Sequence, residues 1–351
     1  GVGLHTGENV ELTFKPAPSN TGIVFIREDI DGDNLIEAHI RHISNTDRGT
    51  NLDNGSFRIH TSEHVLAALT GLGIDNCYIC LNGAEVPIMD GSSKFFIEAI
   101  EKAKIVEQNA LREELFPDEI ISYLCEESGS KISIIPDESY SVDTKVDYDT
   151  KVLGTQTAIL KDISDFKNEI SSARTFSFLH ELETLLENGL IKGGDLNNAI
   201  VYVDKPLANS NMDRLKKAFN KDSISVKENG ILDNLSLHYP NEAARHKLLD
   251  IIGDLALIGM KIRGKVIAEK PGHSINAKFA QKVSEVIKSD RKNILPKLNF
   301  DKKPLMNSSQ IMDVIPHRPP FLLIDEVLEL SDSHVIGLRR VEKNESWVEG
   351  H

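Results

Sequence analysis

With 351 residues, the chain is too long for one ordinary hydrophobic core, so two or three domains are expected. A formal charge of −14 argues against nucleic acid as the main partner, and the three cysteines form no disulfide framework. No apolar run approaches the roughly 18 residues of a transmembrane helix. We therefore expect a cytoplasmic protein without a transmembrane segment.

The first hundred residues combine short strand patterns with two helices. Residues 1–29 alternate apolar and polar side chains and predict two strands joined by a turn. A capped helix is then predicted to begin with Glu63 and His64 and to run to Gly71. An apolar strand and an amphipathic helix from about Ser93 complete this part of the chain.

A second apolar helix is predicted over residues 245–259, with the sequence RHKLLDIIGDLALIG. His246, Asp250 and Asp254 follow one another every four residues, so they form a polar ridge on one face. Burying these groups is costly unless they are paired or bind a cation. The ridge therefore indicates either a core His–Asp pair or two ligands of a metal site.

An internal comparison links the two helices. Aligning His64 with His246 also aligns Gly71 with Gly253 and two apolar positions between them. The match predicts two similar α+β lobes that pack helix to helix. Both histidines would then meet at a shared cleft.

The chemistry of these residues favours a catalytic zinc site. His64, His246 and Asp250 supply three ligands and leave one position open for water. Glu63 is the natural carboxylate to take a proton from that water, and His273, after a Pro-Gly turn, could protonate the leaving group.

Three further polar residues complete the predicted site. Asp254 could orient His273 and raise its pKa. Lys247 and Lys270 could meet an anionic substrate. Each of these residues also has an ordinary structural interpretation.

A change in composition near residue 289 separates the C-terminal part of the chain from the rest. Residues 289–308 are basic and turn-prone, which is typical of a linker. The following 309–351 have a short helix and two strands, too little for an independent core. We predict one lobe at 1–108, a second at 119–288, and an incomplete third domain at 309–351.

Six motifs, in order, resemble the LpxC family, the zinc-dependent UDP-3-O-acyl-N-acetylglucosamine deacetylases of lipid A biosynthesis: GVGLHTG, SEHVLAALTGLGIDN, VPIMDGS, ARTF, RHKLLDIIGDLALIG and KPGHSIN. The resemblance covers roughly residues 1–285. It implies a β-α-α-β sandwich with the site between its lobes. It also implies Zn²⁺ as the cofactor and an acylated UDP-sugar as the substrate, with acetate released.

The resemblance also assigns roles motif by motif. It implies that the zinc ligands are His64, His246 and Asp250, with Glu63 as the general base and His273 as the general acid.

Asp254 matches the partner of that general acid, and Thr175 matches a hydroxyl that polarises the amide carbonyl. Lys247 and Lys270 match residues near the substrate's phosphates. Tyr148 falls where the family has an aromatic beside uracil.

Phe176, next to Thr175, is a further substrate-binding candidate. Residues 189–203 match an insert that forms a passage for the acyl chain. Pro271 departs from the family pattern, in which many relatives have Ser before the GH pair.

The tail resembles the start of a different family, FabZ, a 3-hydroxyacyl-[acyl carrier protein] dehydratase with a hot-dog fold. The motif IMDVIPHRPPFLLIDEVLEL is followed by a GH pair whose His351 matches the catalytic histidine. The resemblance implies a truncated hot-dog domain that is inactive here. It also implies acyl carrier protein as a partner and a homo-oligomer once that domain is complete.

Three classes of function therefore remain open. The leading one is a zinc metalloamidase, and the second is a dehydratase in a longer chain. The third is a non-catalytic module that recognises a nucleotide sugar through Lys247 and Lys270; it predicts neither metal nor turnover. Iron could also replace zinc in such a site.

Overall fold

The computed structural model describes residues 1–181, 198–204, 216, 225–232, 235–293, 303–331 and 334–341. The chain divides into two compact units, Gly1–Ser289 (unit 1) and Asp290–His351 (unit 2). In the described part of the chain, no helix combines the length and the apolar character needed to cross a membrane.

The N-terminal half of unit 1 contains short strands, a 3-10 helix at Ile40–His42 and two α-helices. Their bounds are β1 Leu12–Pro16, β2 Ile23–Arg27, β3 Leu35–Glu37, β4 Ile43–Asn45, β5 Asn51–Asp53, β6 Arg58–Ile59, α1 Glu63–Gly71, β7 Cys77–Leu81 and α2 Lys94–Ala103. The main sheet has the order β1-β7-β2-β3, and β4, β5 and β6 form a smaller sheet.

The C-terminal half of unit 1 carries the larger sheet and the longest helices. Its elements are β8 Glu114–Leu115, β9 Ile121–Cys125, β10 Ser130–Ile135, β11 Tyr140–Asp147, β12 Thr155–Leu160, a 3-10 helix Ile163–Asp165, α3 Phe166–Glu169, β13 Phe176–Phe178, β14 Ile200–Tyr202, α4 Glu242–Ala256, β15 Lys261–Ile262, β16 Gly264–Glu269 and α5 His273–Asn293. Five strands form a sheet in the order β12-β11-β16-β10-β9.

The two main sheets repeat one topology. In the first, β7 lies between β1 and β2, antiparallel to β1 and parallel to β2. In the second, β16 lies between β10 and β11 in the same way, antiparallel to β10 and parallel to β11. Each sheet has a further antiparallel strand at its edge, β3 or β12, and each inserted strand follows a helix, α1 or α4. The mixed α and β architecture expected from the sequence is confirmed.

One large hydrophobic core joins the two main sheets to α1 and α4, and a smaller one lies around β13 and β14. Strand β11 shows how the pattern works: Val142, Thr144 and Val146 are buried, whereas Asp143 and Lys145 on the opposite face are more exposed. Helix α4 packs on β11 and β12 and also against α1. Buried side chains of both sheets and both helices belong to the same cluster. The functional candidates on α1 and α4 therefore lie inside the molecule.

Some elements differ from the sequence predictions. Helix α4 begins at Glu242, three residues before the predicted start, because that side chain is held by contacts from other segments. Strand β12 was not predicted, because its sequence TQTAIL mixes polar and apolar residues without a strong alternating pattern. The helix predicted from Glu63 to Gly71 is confirmed.

Unit 2 is small. It contains β17 Met306–Asn307, α6 Ser308–Val314, β18 Glu326–Leu330 and β19 Val335–Leu338, with the strands paired in the order β17-β18-β19. Asn307 and Gln310 form a capping box at the start of α6, and Ile311, Leu322 and Val327 pack together as its core. The hot-dog fold of this part stays a prediction.

Candidate metal centre

The close contact between α1 and α4 depends on a glycine. At Gly253, a Cβ atom would lie 2.1 Å from the carbonyl oxygen of Glu63, a separation that no side chain could tolerate. With only a hydrogen there, the two helices approach closely enough to bring the imidazole centroids of His64 and His246 to 5.0 Å.

Three of the predicted ligands meet at this contact. One ligand atom each from His64, His246 and Asp250 can be chosen so that all lie within 4.8 Å of one another, and all three residues are buried. Asp250 Oδ1 lies 3.8 Å from His64 Nε2 and 3.3 Å from His246 Nε2. In the described part of the chain, this is the one cluster of such groups with metal-binding spacing.

The protonation of these groups indicates that a cation belongs between them. His246 Nδ1 lies 3.0 Å from the carbonyl oxygen of Ala173, which can only accept, so Nδ1 carries the proton and Nε2 presents a lone pair. Burial lowers the pKa of His64 to about 3, so its imidazole is neutral as well.

Asp250 provides the third electron pair. Its Oδ1 is buried and, among the described residues, has no hydrogen-bond partner. Burial alone would raise the pKa of Asp250, but nearby His246 and Lys247 lower it well below its usual range. Two neutral imidazoles and one carboxylate thus converge, a set that fits a divalent transition metal.

Glu63 and His273 lie beside the cluster. His273 Nε2 is 4.0 Å from Glu63 Oε1 and 3.8 Å from Asp250 Oδ2. Burial raises the pKa of Glu63 to about 7, although His273 opposes the shift. Burial alone would lower the pKa of His273, but Asp254 and Asp250 outweigh it and raise the pKa to about 9. Near neutral pH the pair therefore combines a carboxylate that can accept a proton with an imidazolium that can donate one.

Asp254 is held by three donors, two of which were not predicted. Its Oδ2 accepts from His273 Nδ1 at 3.0 Å and from Asn276 Nδ2 at 2.8 Å. Its Oδ1 accepts from the hydroxyl of Thr50 at 2.5 Å. Asn276 could have been found from its position one helical turn after His273. Thr50 lies in a loop with no motif, and no sequence signal singles it out.

A buried ion pair positions the segment that carries Thr175. Arg174 donates from its backbone N–H and its guanidinium to Glu242, and both side chains are almost fully buried. The neighbouring Ala173 carbonyl holds His246, and the Thr175 N–H donates to the carbonyl of Gly91 at 2.8 Å. Thr175 therefore lies in a strand-like segment fixed directly against the start of α4.

The predicted substrate-binding residues fall into two places. Lys247 Nζ lies 2.8 Å from Asp250 Oδ2 and 5.6 Å from the ring centroid of Phe176. The ring of Phe176 in turn lies 5.6 Å from that of Tyr148. Lys270 is partly exposed, with its Nζ 3.7 Å from Asp147 Oδ2.

Two other predictions concern residues that the structure does not describe. His351, the predicted dehydratase residue, lies outside the described residues. Within the predicted acyl-chain insert, residues 189–197 also lie outside them, and 198–203 are described.

Fold and site together define a metal-dependent enzyme of mixed α and β architecture. A family model described as LpxC, UDP-3-O-acyl N-acetylglycosamine deacetylase, matches residues 1–221 and 210–285. The chain therefore belongs to the LpxC deacetylase family.

Relatives support this assignment along the whole chain. Two proteins named bifunctional enzyme LpxC/FabZ match all of this chain and 76% of their own length. The one from Bacteroides thetaiotaomicron is 40% identical and the one from Porphyromonas gingivalis 42%. A UDP-3-O-acyl-N-acetylglucosamine deacetylase from Acidithiobacillus ferrooxidans is 39% identical over 79% of this chain and 83% of its own.

Proposed function

We propose that the protein removes the acetyl group from UDP-3-O-(3-hydroxyacyl)-N-acetylglucosamine with the help of Zn²⁺, giving the free amine and acetate, the committed step of lipid A biosynthesis. The observation that carries the proposal is the buried cluster of His64, His246 and Asp250 with Glu63 and His273 beside it. Family membership supplies the substrate class, and the cluster supplies the chemistry.

The three clustered residues would hold the zinc ion. When bound, zinc supplies a Lewis acid that polarises the amide carbonyl and makes a water molecule more acidic. Two neutral imidazoles and one carboxylate suit this role, because they leave coordination sites for exchangeable ligands. Ala173 and Lys247 orient two of them through His246 Nδ1 and Asp250 Oδ2.

Glu63 would act as the general base. Its Oε2 is fixed by the backbone N–H of Thr50 at 2.9 Å, which leaves Oε1 directed towards His273. As water oxygen forms a bond to the carbonyl carbon, Glu63 takes the water proton. A pKa of about 7 suits this task, because the carboxylate is available near neutral pH and basic enough to accept.

His273 would act as the general acid. When the carbon–nitrogen bond breaks, the departing nitrogen needs a proton, and His273 Nε2 can supply it because Asp254 keeps the imidazole protonated. The hydroxyl of Thr175 would stabilise the carbonyl oxygen as negative charge develops on it. These steps leave Glu63 protonated and His273 neutral, and transfer of the proton from Glu63 to His273 Nε2 would restore both residues.

The remaining candidates would bind the substrate. We assign Tyr148 and Phe176, which touch each other, to the apolar faces of the nucleotide sugar. We assign Lys247 and Lys270 to its phosphates, although Lys247 also neutralises Asp250. Residues 189–203 would border the acyl chain, and the reaction would take place in the cytoplasm.

Metal content and rate test the assignment together. His246→Ala removes a ligand and is expected to lose bound zinc and acetate release. Glu63→Gln keeps all three ligands, so it is expected to retain zinc while its rate falls by about 10²- to 10⁴-fold. Elemental analysis and acetate release from the UDP-sugar measure both. If His246→Ala kept stoichiometric zinc and full activity, the metal site would be wrongly assigned.

The relatives named LpxC/FabZ support a second proposal. They align with this chain beyond the deacetylase region, so we propose that residues 309–351 belong to a FabZ-type hot-dog domain that acts on acyl carrier protein and mediates oligomerisation. His351 would be its catalytic histidine. A longer chain that contains the whole of this domain is expected to dehydrate 3-hydroxyacyl-acyl carrier protein, whereas residues 1–351 alone should not. A longer chain without this activity would contradict the proposal.

A further inference from the structure

We propose that Thr50 is a positioning residue that holds the general base Glu63 and the His273–Asp254 pair in fixed relation to each other. The inference rests on the proposed function, because it concerns the same proton transfers. Thr50 is fully buried and precedes β5, in a loop of the small sheet. Neither its position in the sequence nor any motif marks it.

All three polar groups of Thr50 are used at the site. Its N–H donates to Glu63 Oε2 at 2.9 Å, and its hydroxyl donates to Asp254 Oδ1 at 2.5 Å. Its carbonyl accepts from the N–H and the hydroxyl of Ser62, the residue before α1, at 3.1 and 2.8 Å. One residue therefore ties the start of α1 to the last turn of α4.

The hydroxyl also lies beside His273 Nδ1, the nitrogen that faces Asp254. A hydroxyl has one proton, and that of Thr50 is directed to Asp254. At 3.4 Å from His273 Nδ1, the Thr50 oxygen can then only accept. Nδ1 therefore carries a proton shared between Asp254 Oδ2 and Thr50, which leaves Nε2 directed towards Glu63.

Loss of the Thr50 hydroxyl would leave the general acid His273 less firmly positioned, but it would not affect the candidate metal ligands His246 and Asp250. Asp254 Oδ1 would keep no donor among the contacts described, so its carboxylate could rotate and take His273 with it. The groups that hold His246 and Asp250, namely Ala173 and Lys247, do not touch Thr50. Metal binding should therefore survive while proton transfer slows.

The first test replaces the hydroxyl by a methyl group of similar shape. Thr50→Val is expected to lower kcat by about 10- to 100-fold, because the hydroxyl that positions Asp254 and His273 is lost. The KM should stay within about twofold of the wild-type value, because the substrate contacts are unchanged. Thr50→Ser restores the hydroxyl and is expected to recover kcat to within about threefold of the wild type. Zinc content should be unchanged in both variants.

Thr144 offers a matched control. It is also a buried threonine, but its hydroxyl has no hydrogen-bond partner among the described residues. Thr144→Val makes the same chemical change at another buried position without removing a hydrogen bond to Glu63 or Asp254. Its kcat should equal that of the wild type.

A second readout does not depend on turnover. The proton on His273 Nδ1, hydrogen-bonded to Asp254, should give a downfield NMR signal in the full chain, with or without zinc. The signal is assigned by its loss in His273→Gln. It is expected to shift in Thr50→Val and to stay in place in Thr144→Val.

The outcomes separate this inference from the proposed function. An unchanged kcat and an unchanged signal in Thr50→Val would overturn the inference, as would a Thr50→Ser variant as impaired as Thr50→Val. If Thr50→Val does not fold, Thr50→Ala removes the hydroxyl without adding bulk and is judged by the same criteria. A wild-type protein that released no acetate would refute the function, while the signal of His273 would still test Thr50.

Discussion

Asp250 and Asp254 lie one helical turn apart on α4, yet their surroundings give them different chemistry. Asp250 turns Oδ1, which has no hydrogen-bond donor among the described residues, towards His64 and His246. Both oxygens of Asp254 accept hydrogen bonds. A carboxylate oxygen without a donor is free to bind a cation, whereas a carboxylate with donors on both oxygens fixes its neighbour and stabilises that neighbour's positive charge. The role of each aspartate therefore follows from its donors.

This difference predicts a pH effect for Asp254→Asn. Asp254 helps raise the pKa of His273 from an ordinary 6.5 to about 9, so removing its charge should lower that pKa. A general acid is active below its pKa, so kcat falls as pH rises through it. The alkaline limb of the kcat–pH profile should therefore move from near pH 9 towards neutrality.

Asp143→Asn is the control for that profile, because Asp143 pairs with Lys265 on the outer face of the sheet, with 2.7 Å between them. It should leave the alkaline limb in place. A limb that stayed in place in Asp254→Asn as well would show that His273 does not supply the titrating proton.

At the scale of residues, the sequence predicted the polar ridge on α4 but not the different chemical roles of its two aspartates. Spacing alone places His246, Asp250 and Asp254 on one face of a helix. What separates the two aspartates is the position of their donors. Thr50 is 204 residues from Asp254, and helical periodicity contains no information about such a contact.

At the scale of elements, the site depends on how closely α1 and α4 approach. The aligned glycines of the two helices have different neighbours: Gly253 faces the backbone of Glu63, whereas Gly71 faces the ring of Phe166. The sequence alignment found both glycines. It could not show that only one of them sets the distance between the metal ligands, because that requires the packing of the two helices.

Gly253→Ala should therefore damage the metal site, and Gly71→Ala should not. A methyl group at 253 would meet the Glu63 carbonyl at 2.1 Å, so α1 must move and carry His64 away from His246. We expect a loss of about 1–3 kcal/mol in the free energy of unfolding from overpacking. We also expect weaker zinc binding, measured by competition with a chromogenic chelator.

Gly71→Ala serves as the comparison, since its methyl group would press on Phe166 at the far end of α1. It should lower stability by a similar amount and leave zinc affinity unchanged. Equal zinc affinities for the two variants would mean that the approach of the helices does not set the ligand geometry.

At the scale of the whole molecule, the repeated sheet topology explains why the site lies where it does. Each half of unit 1 contributes one helix whose start carries a histidine, and the two helices pack against each other. Neither half holds the complete set of candidate ligands, because His64 comes from one and His246 and Asp250 come from the other. The alignment of the two histidines predicted this arrangement, since a repeated helix must bury its apolar face against its counterpart.

A cation at this junction should therefore stabilise unit 1 as a whole. Without it, Asp250 Oδ1 stays buried beside two imidazoles, without a hydrogen-bond donor among the described residues. A ligand present at about 1,000 times its dissociation constant stabilises the folded state by about 4 kcal/mol. At roughly 2–4 °C per kcal/mol, chelation should lower the midpoint of thermal unfolding, followed by circular dichroism, by about 8–16 °C.

His246→Ala is the control for this experiment, because it lacks a ligand that the cation requires. Its midpoint should not respond to chelator or to added zinc, although it will differ from that of the wild type. If chelation left the wild-type midpoint unchanged, a cation would not bridge the two halves. The two helices would then be held by apolar packing alone, since Gly253 already allows their backbones to touch.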